Sequence, residues 1–197
     1  MRHDPEKHHR RSIRLKGYNY SQAGCYYLTV VTQNRECLFG DVVDGKMVLN
    51  GAGRVAQTCW LEIPNHFPNV HLDAFIIMPN HIHGIIFIIN DEMGKSVGVQ
   101  NFEPLQRSNQ NKYQQIIPHS IGSIIRGFKI GVTKWFRHNT DIYTVWQRNY
   151  WEHVIRDEKE LNHIQEYTIN NPLKWDFDDE NPNLGQPDES PQQAGRL

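Results

Sequence analysis

The stretch Ile76 to Ile89 reads I-I-M-P-N-H-I-H-G-I-I-F-I-I. Two apolar runs flank a polar break, Met78-Pro79-Asn80, and the second run opens with His81-Ile82-His83. The pattern predicts two adjacent strands, Val70 to Met78 and Ile82 to Ile89. Successive side chains of a strand point to opposite faces, so His81 and His83 share one face while Ile82 points into the core. Two imidazoles side by side at the start of a buried strand make a two-toothed clamp for a metal ion. A lone His-x-His is weak in a chain with 11 histidines, where two partly buried, hydrogen-bonded side chains are an equal explanation. Context has to decide.

Working outward, Cys25 to Thr32 (C-Y-Y-L-T-V-V-T) is β-branched and aromatic and predicts a first strand. Asp44-Gly45, between Val42-Val43 and Met47-Val48-Leu49, signals a hairpin. From Gly53 the period changes to that of a helix, with Ala56, Trp60 and Ile63 on one side and Pro64 as its end. Ser120 caps a second helix whose stripe is Ile121, Ile124, Ile125, Phe128, Val132, Trp135 and Phe136. Val145 to Arg156 holds the last strand. Asp157 with Glu160 resembles a capping box opening a final helix, which Pro172 limits. Without the hairpin the order is strand, helix, strand, strand, helix, strand, helix. This predicts an α+β fold: a ferredoxin-like (RRM-like) βαββαβ antiparallel sheet, an extra hairpin and a C-terminal helix lying over the open sheet face.

At 197 residues the chain fits one domain with ragged ends. We expect a flexible basic arm over 1–20, an ordered domain over 21–175 interrupted by a mobile loop at 90–118, and a disordered acidic tail over 176–197. No apolar stretch opens the chain as a signal peptide would, and none is long enough for a membrane span. Cys25, Cys37 and Cys59 lack C-x-x-C spacing and read as reduced thiols of a cytoplasmic protein. The tail from Asp176 holds six acids against Arg196, leaving 20 basic against 16 acidic residues before it, a balance of +4. Basic residues crowd the N-terminus, and Arg126, Lys129, Lys134 and Arg137 follow one another with no acid between them. Such clusters suit nucleic-acid phosphates, and equally suit a solvated helix face.

On the final helix, His163, Tyr167 and Asn171 recur every four residues and share a face, with Leu161, Ile164 and Thr168 on the more apolar side. A phenol with an ordinary pKa near 10 attacks poorly unless a base or a metal assists it. A divalent ion held by His81, His83 and an oxygen of this helix would polarise a scissile phosphate.

Met78-Pro79-Asn80-His81-Ile82-His83-Gly84, then Tyr150-Trp151-Glu152-His153-Val154-Ile155-Arg156, then Glu166-Tyr167-Thr168-Ile169-Asn170-Asn171-Pro172 form an ordered set. Together they resemble the single-tyrosine HUH transposases, and most closely their domesticated branch, the REP-associated tyrosine transposases. The resemblance runs from about Gly17 to Trp175. It implies a DNA strand transferase acting on single-stranded DNA beside a hairpin, through a 5′-phosphotyrosyl intermediate and without ATP. It makes Tyr167 the nucleophile and gives His81, His83 and Asn171 to Mg²⁺ or Mn²⁺. Relatives outside the REP-associated branch usually carry Gln where Asn171 stands. Arg14, Lys16, Arg126, Lys129, Arg148 and His163 are candidate DNA contacts, and Tyr150 is the rival nucleophile. The resemblance leaves a monomer and a homodimer that swaps its last helix both open.

Two other readings compete. A non-catalytic ferredoxin-like module would stack bases on sheet aromatics such as Tyr26, Tyr27, Phe75 and Phe87. A His-x-His hydrolase for small molecules would need neither Tyr167 nor basic clusters.

Overall fold

The structure is a computed structural model that describes residues 21–89 and 117–184. Its elements are β1 (Gly24–Val31), β2 (Gly40–Val43), β3 (Lys46–Leu49), α1 (Gly51–Leu61), α2 (Ile63–His66), β4 (Val70–Ile77), β5 (His81–Ile88), α3 (Ile121–Asn139), β6 (Trp151–Ile155) and α4 (Glu158–Ile169). A 3-10 turn, Asn171–Phe177, follows α4. Four strands pair in the order β4-β5-β1-β6, each neighbour antiparallel, and β2 and β3 form a separate hairpin. This is the ferredoxin-like sheet that the order of elements predicts. The hairpin turns at Asp44 and Gly45, both at positive φ (50° and 68°), as a tight two-residue connection demands.

Alternation along β1 and β5 divides the molecule into two layers. Tyr26, Leu28 and Val30 with Ile82, Ile86 and Ile88 face Ala56 and Trp60 of α1 and the apolar stripe of α3. The intervening residues Cys25, Tyr27 and Ile85, joined by Ile155 of β6, form a smaller cluster under Leu161 and Ile164 of α4. Burying a thiol in that layer pushes the Cys25 pKa up to about 12, so it behaves as a small apolar residue. The last helix thus covers the face that α1 and α3 leave open, and the two histidines of β5 belong to that covered face.

One close approach seats α1 against the sheet. Gly84 lies in β5 against Trp60, and a Cβ built there would stand 2.2 Å from the indole. Trp60 is fully buried and has nowhere to move. Gly84→Ala therefore overpacks the core beside His83, and we expect a loss of about 2–3 kcal/mol, read from the urea midpoint.

Several boundaries differ from the sequence reading. α1 begins at Gly51, because the Asn50 side chain accepts from Gly53 N at 2.9 Å and caps it two residues early. Pro64 does not end that helix; it opens α2, in the first turn, where a missing N–H costs nothing. The final strand is confined to Trp151–Ile155, and Trp146 makes only an isolated bridge to Thr32. The acidic tail is folded from Asp176 as far as Leu184, turned back by bonds from Asn181 Nδ2 to Trp175 O and from Asn80 Nδ2 to Glu180 O. Residues 1–20, 90–116 and 185–197, which include Arg14, Lys16, nearly all of the expected mobile loop and the rest of the tail, lie outside the described residues.

Lys129 is not a free cation. Its ammonium donates to Gln147 O and Asn149 O, each at 2.9 Å, and burial lowers its pKa from 10.5 to about 8. A folded-state pKa below the unfolded one means that the native chain holds fewer protons between pH 8 and 10.5. Stability contributed at this side chain therefore rises with pH across that window. Relative to Lys129→Met, the wild type gains stability from pH 8 to pH 10.5, measured by urea unfolding at each pH.

Candidate active site

The turn between β4 and β5 fixes the first histidine. Met78 N donates to His81 O at 2.8 Å, and Thr32 N and Phe39 N donate to Asn80 O and Pro79 O. Asn80 is fully buried, with its amide nitrogen given to Arg35 O and Glu180 O. Its Oδ1 is therefore the acceptor for His81 Nδ1 at 2.9 Å, which places the proton on Nδ1 and leaves the Nε2 lone pair free. That Nε2 is buried and has no hydrogen-bond partner among the described residues. Burial lowers the His81 pKa to about 4 despite Asp178 nearby, so the ring is neutral at pH 7.

His83 stands on the same face, 4.5 Å from His81 between ring centroids. Its Nδ1 meets Tyr27 Oη at 2.8 Å and Thr29 Oγ1 at 2.9 Å. Thr29 is its direct cross-strand partner, and Tyr27 lies diagonally on β1. With Nδ1 engaged by those two hydroxyls, Nε2 is the atom His83 can offer. Burial, and then the neighbouring His81, hold its pKa well below the ordinary value.

Asp178 completes the cluster. Its carboxylate and the two imidazoles each offer an atom within 4.8 Å of the others, with Asp178 Oδ2 4.0 Å from His81 Nε2. The Asn171 amide donates to Asp178 Oδ2 at 3.3 Å, and its Oδ1 is buried without a partner among the described residues. Two neutral imidazoles, a carboxylate and an orphaned amide oxygen suit a divalent cation of intermediate softness. The donor set fits a metal.

α4 carries Tyr167 to the rim. Asp157 caps the helix by accepting from Glu160 N at 2.8 Å, while Glu160 accepts from Arg156 N at 2.8 Å and pairs with His153 Nε2 at 2.7 Å, fastening α4 to β6. Thr168 is buried and Tyr167 is 37% exposed, with its ring 5.6 Å from His83 and 6.4 Å from Tyr27. Partial burial, then the Asp178 carboxylate, raise its pKa, so the resting group is a neutral phenol.

The structure thus brings together Tyr167, His81, His83 and Asn171, and adds Asp178, which the sequence reading did not select, and Tyr27, which it named only as a stacking aromatic. Asn171 belongs to the 3-10 turn beyond α4 and not to the helix itself. His163 is exposed on α4, Arg148 is exposed in the loop before β6, and Arg126 is exposed on α3, behind the sheet. Tyr150 packs against the core of that opposite side and lies apart from the histidines. No helix among the described residues is long and apolar enough to cross a membrane.

The chain matches no family model. An uncharacterised protein of Haemophilus influenzae is 51% identical over 171 residues, covering 87% of this chain and 92% of that one. A second H. influenzae protein, provisionally named a REP-associated tyrosine transposase, is 22% identical over 162 residues, covering 81% and 76%. The solved structure of a REP-associated tyrosine transposase bound to a REP hairpin superposes with a TM-score of 0.53 at 18% identity, over 82% of this chain and 74% of that one. The chain shares the fold of that REP-associated tyrosine transposase. Within this fold α4 lies over the sheet of its own chain, so the Tyr167 ring meets His83 of the same chain.

Proposed function

We propose that the chain is a transposase-type enzyme that nicks and rejoins single-stranded DNA beside hairpins in the cytoplasm. Tyr167 is its nucleophile, and His81, His83 and an oxygen of Asp178 or Asn171 hold Mg²⁺ or Mn²⁺. The observation that carries this reading is the 5.6 Å approach of the Tyr167 ring to His83, at the rim of a buried donor cluster. A solved relative is described as bound to a REP hairpin, which supports a hairpin as the DNA partner.

In the nicking step the Tyr167 oxygen bonds to the scissile phosphorus, and the bond from phosphorus to the 3′ oxygen breaks. The phenol proton leaves, the 3′ oxygen takes one up as a hydroxyl, and the 5′ phosphate remains on the tyrosine. Attack by another 3′-hydroxyl reverses the exchange, so one phosphoester replaces another and ATP is not needed. A bound divalent ion supplies charge stabilisation at the phosphate. The chain's own residues supply placement: Asn80 fixes the His81 tautomer, Tyr27 and Thr29 orient His83, and α4 holds Tyr167 at the rim.

The test is incubation of the wild type with 5′- and 3′-labelled hairpin DNA carrying single-stranded flanks, in Mn²⁺ or in EDTA. A denaturant-resistant adduct that retains the 3′ label and requires Mn²⁺ is expected. Binding without an adduct in any condition would overturn the catalytic reading in favour of a binding module.

A further inference from the structure

α4 crosses the sheet over β4 and β5 and leaves the β6 edge of the same face less covered. Tyr26 and Phe75 face the main core, Tyr27 is buried and Phe87 packs under α4, so none of these four offers a free ring face to DNA. Trp151 does. It opens β6, pairs with Thr29 of β1 and is 38% exposed. Its indole lies parallel to the His153 ring, at 9° and 5.9 Å, and His153 is itself held by Glu160 Oε1 at 2.7 Å. Edge-on, the same indole meets Tyr27 at 5.6 Å, and Tyr27 meets Tyr167 at 6.4 Å. One ring therefore separates Trp151 from the candidate nucleophile.

We propose that Trp151, backed by His153, is a stacking subsite for one unpaired nucleobase next to the scissile phosphate. The proposal rests on the single-stranded DNA reading above. A large indole fixed from below by a parallel ring loses little freedom when a flat base lies on it, and every base presents a π face. A protein partner is a poorer match, because a single ring at a sheet edge beside a donor cluster offers little contact area. Seating the base sets which phosphate reaches Tyr167, so the subsite positions the cut.

The test measures binding in EDTA, so that it does not depend on chemistry. Hairpins with single-stranded flanks, hairpins without flanks, and flanked hairpins with one abasic nucleotide moved along the flank would be titrated onto wild type, Trp151→Ala and Trp151→Phe. We expect Trp151→Ala to bind flanked hairpins about tenfold more weakly, Trp151→Phe to recover most of that loss, and flankless hairpins to bind all three alike. At one position the abasic nucleotide should weaken the wild type about tenfold and leave Trp151→Ala unaffected. Equal abasic profiles for wild type and Trp151→Ala would overturn the subsite, as would equal weakening on flankless hairpins. Binding with this profile but no adduct in Mn²⁺ would sink the catalytic reading and leave the subsite standing. No binding to any of these DNAs would remove both.

Discussion

Tyr167→Phe should abolish the covalent protein–DNA adduct, a loss of roughly 10³-fold or more in nicking rate, while DNA affinity and Mn²⁺ affinity stay within about twofold of wild type. The substitution removes one oxygen and keeps the ring, so the edge contacts to His83 and Tyr27 persist. The control that gives the result meaning is Tyr27→Phe, on the same face and nearer the histidines. Tyr27 is buried, and its hydroxyl is committed to His83 Nδ1 at 2.8 Å. Burial, then the Tyr167 phenol, raise its pKa and keep it a neutral hydroxyl. Deleting that hydroxyl leaves Thr29 as the remaining orienting partner of His83. Adduct formation should then fall by about 10- to 100-fold through weaker metal binding, and excess Mn²⁺ should restore it. Excess Mn²⁺ cannot rescue Tyr167→Phe if Tyr167 is the attacking group. Rates from single-turnover gels over a Mn²⁺ series separate the two, and Tyr150→Phe, on the far side of the sheet, should nick as wild type does. An adduct that survives in Tyr167→Phe would transfer the nucleophile elsewhere.

Much of this arrangement was legible in the chain because local signals and the buried layers agree. Alternation in Ile82 to Ile89 separates the His81 and His83 face from the main core, and the caps at Ser120 and Asp157 mark helix starts that the structure keeps. Tyr27 was legible as a strand residue but not as the partner of His83, because that contact depends on the β1–β5 register, which pairs Thr29 with His83. Asp178 was hidden for a different reason. Its surroundings, Asp176 to Glu180, are acidic and poor in apolar residues, the composition of a disordered segment. What folds the segment is non-local and polar: Arg35 Nε meets Glu180 Oε2 at 2.7 Å, and Asn80 holds Glu180 O. Neither bond leaves a trace in periodicity or composition. Lys129 shows the same limit in reverse: its cation sits in a basic run, yet the fold has it donate to two backbone carbonyls.

Removing single donors should decide which oxygen completes the metal site. His81→Ala removes a buried lone pair that has no other partner among the described residues, and we expect Mn²⁺ affinity to fall by about 100-fold or more. Asp178→Asn keeps the shape and removes a full negative charge whose Oδ2 lies 4.0 Å from His81 Nε2. Asn171→Ala removes only an amide dipole, although its Oδ1 is buried and unpartnered among the described residues. In a site this buried, a charge beside a divalent ion outweighs a dipole, so Asp178→Asn should weaken Mn²⁺ more than Asn171→Ala does. Direct Mn²⁺ titration by electron paramagnetic resonance, without DNA, reads each affinity independently of nicking. Thermal unfolding gives a second readout: at a Mn²⁺ concentration of about 100 times Kd the wild type gains about 2.7 kcal/mol, and EDTA cancels the gain. The same addition should leave His81→Ala almost unmoved. If Asp178→Asn instead binds Mn²⁺ as wild type does, the carboxylate serves only to hold the Asn171 amide, and Asn171 Oδ1 becomes the third donor.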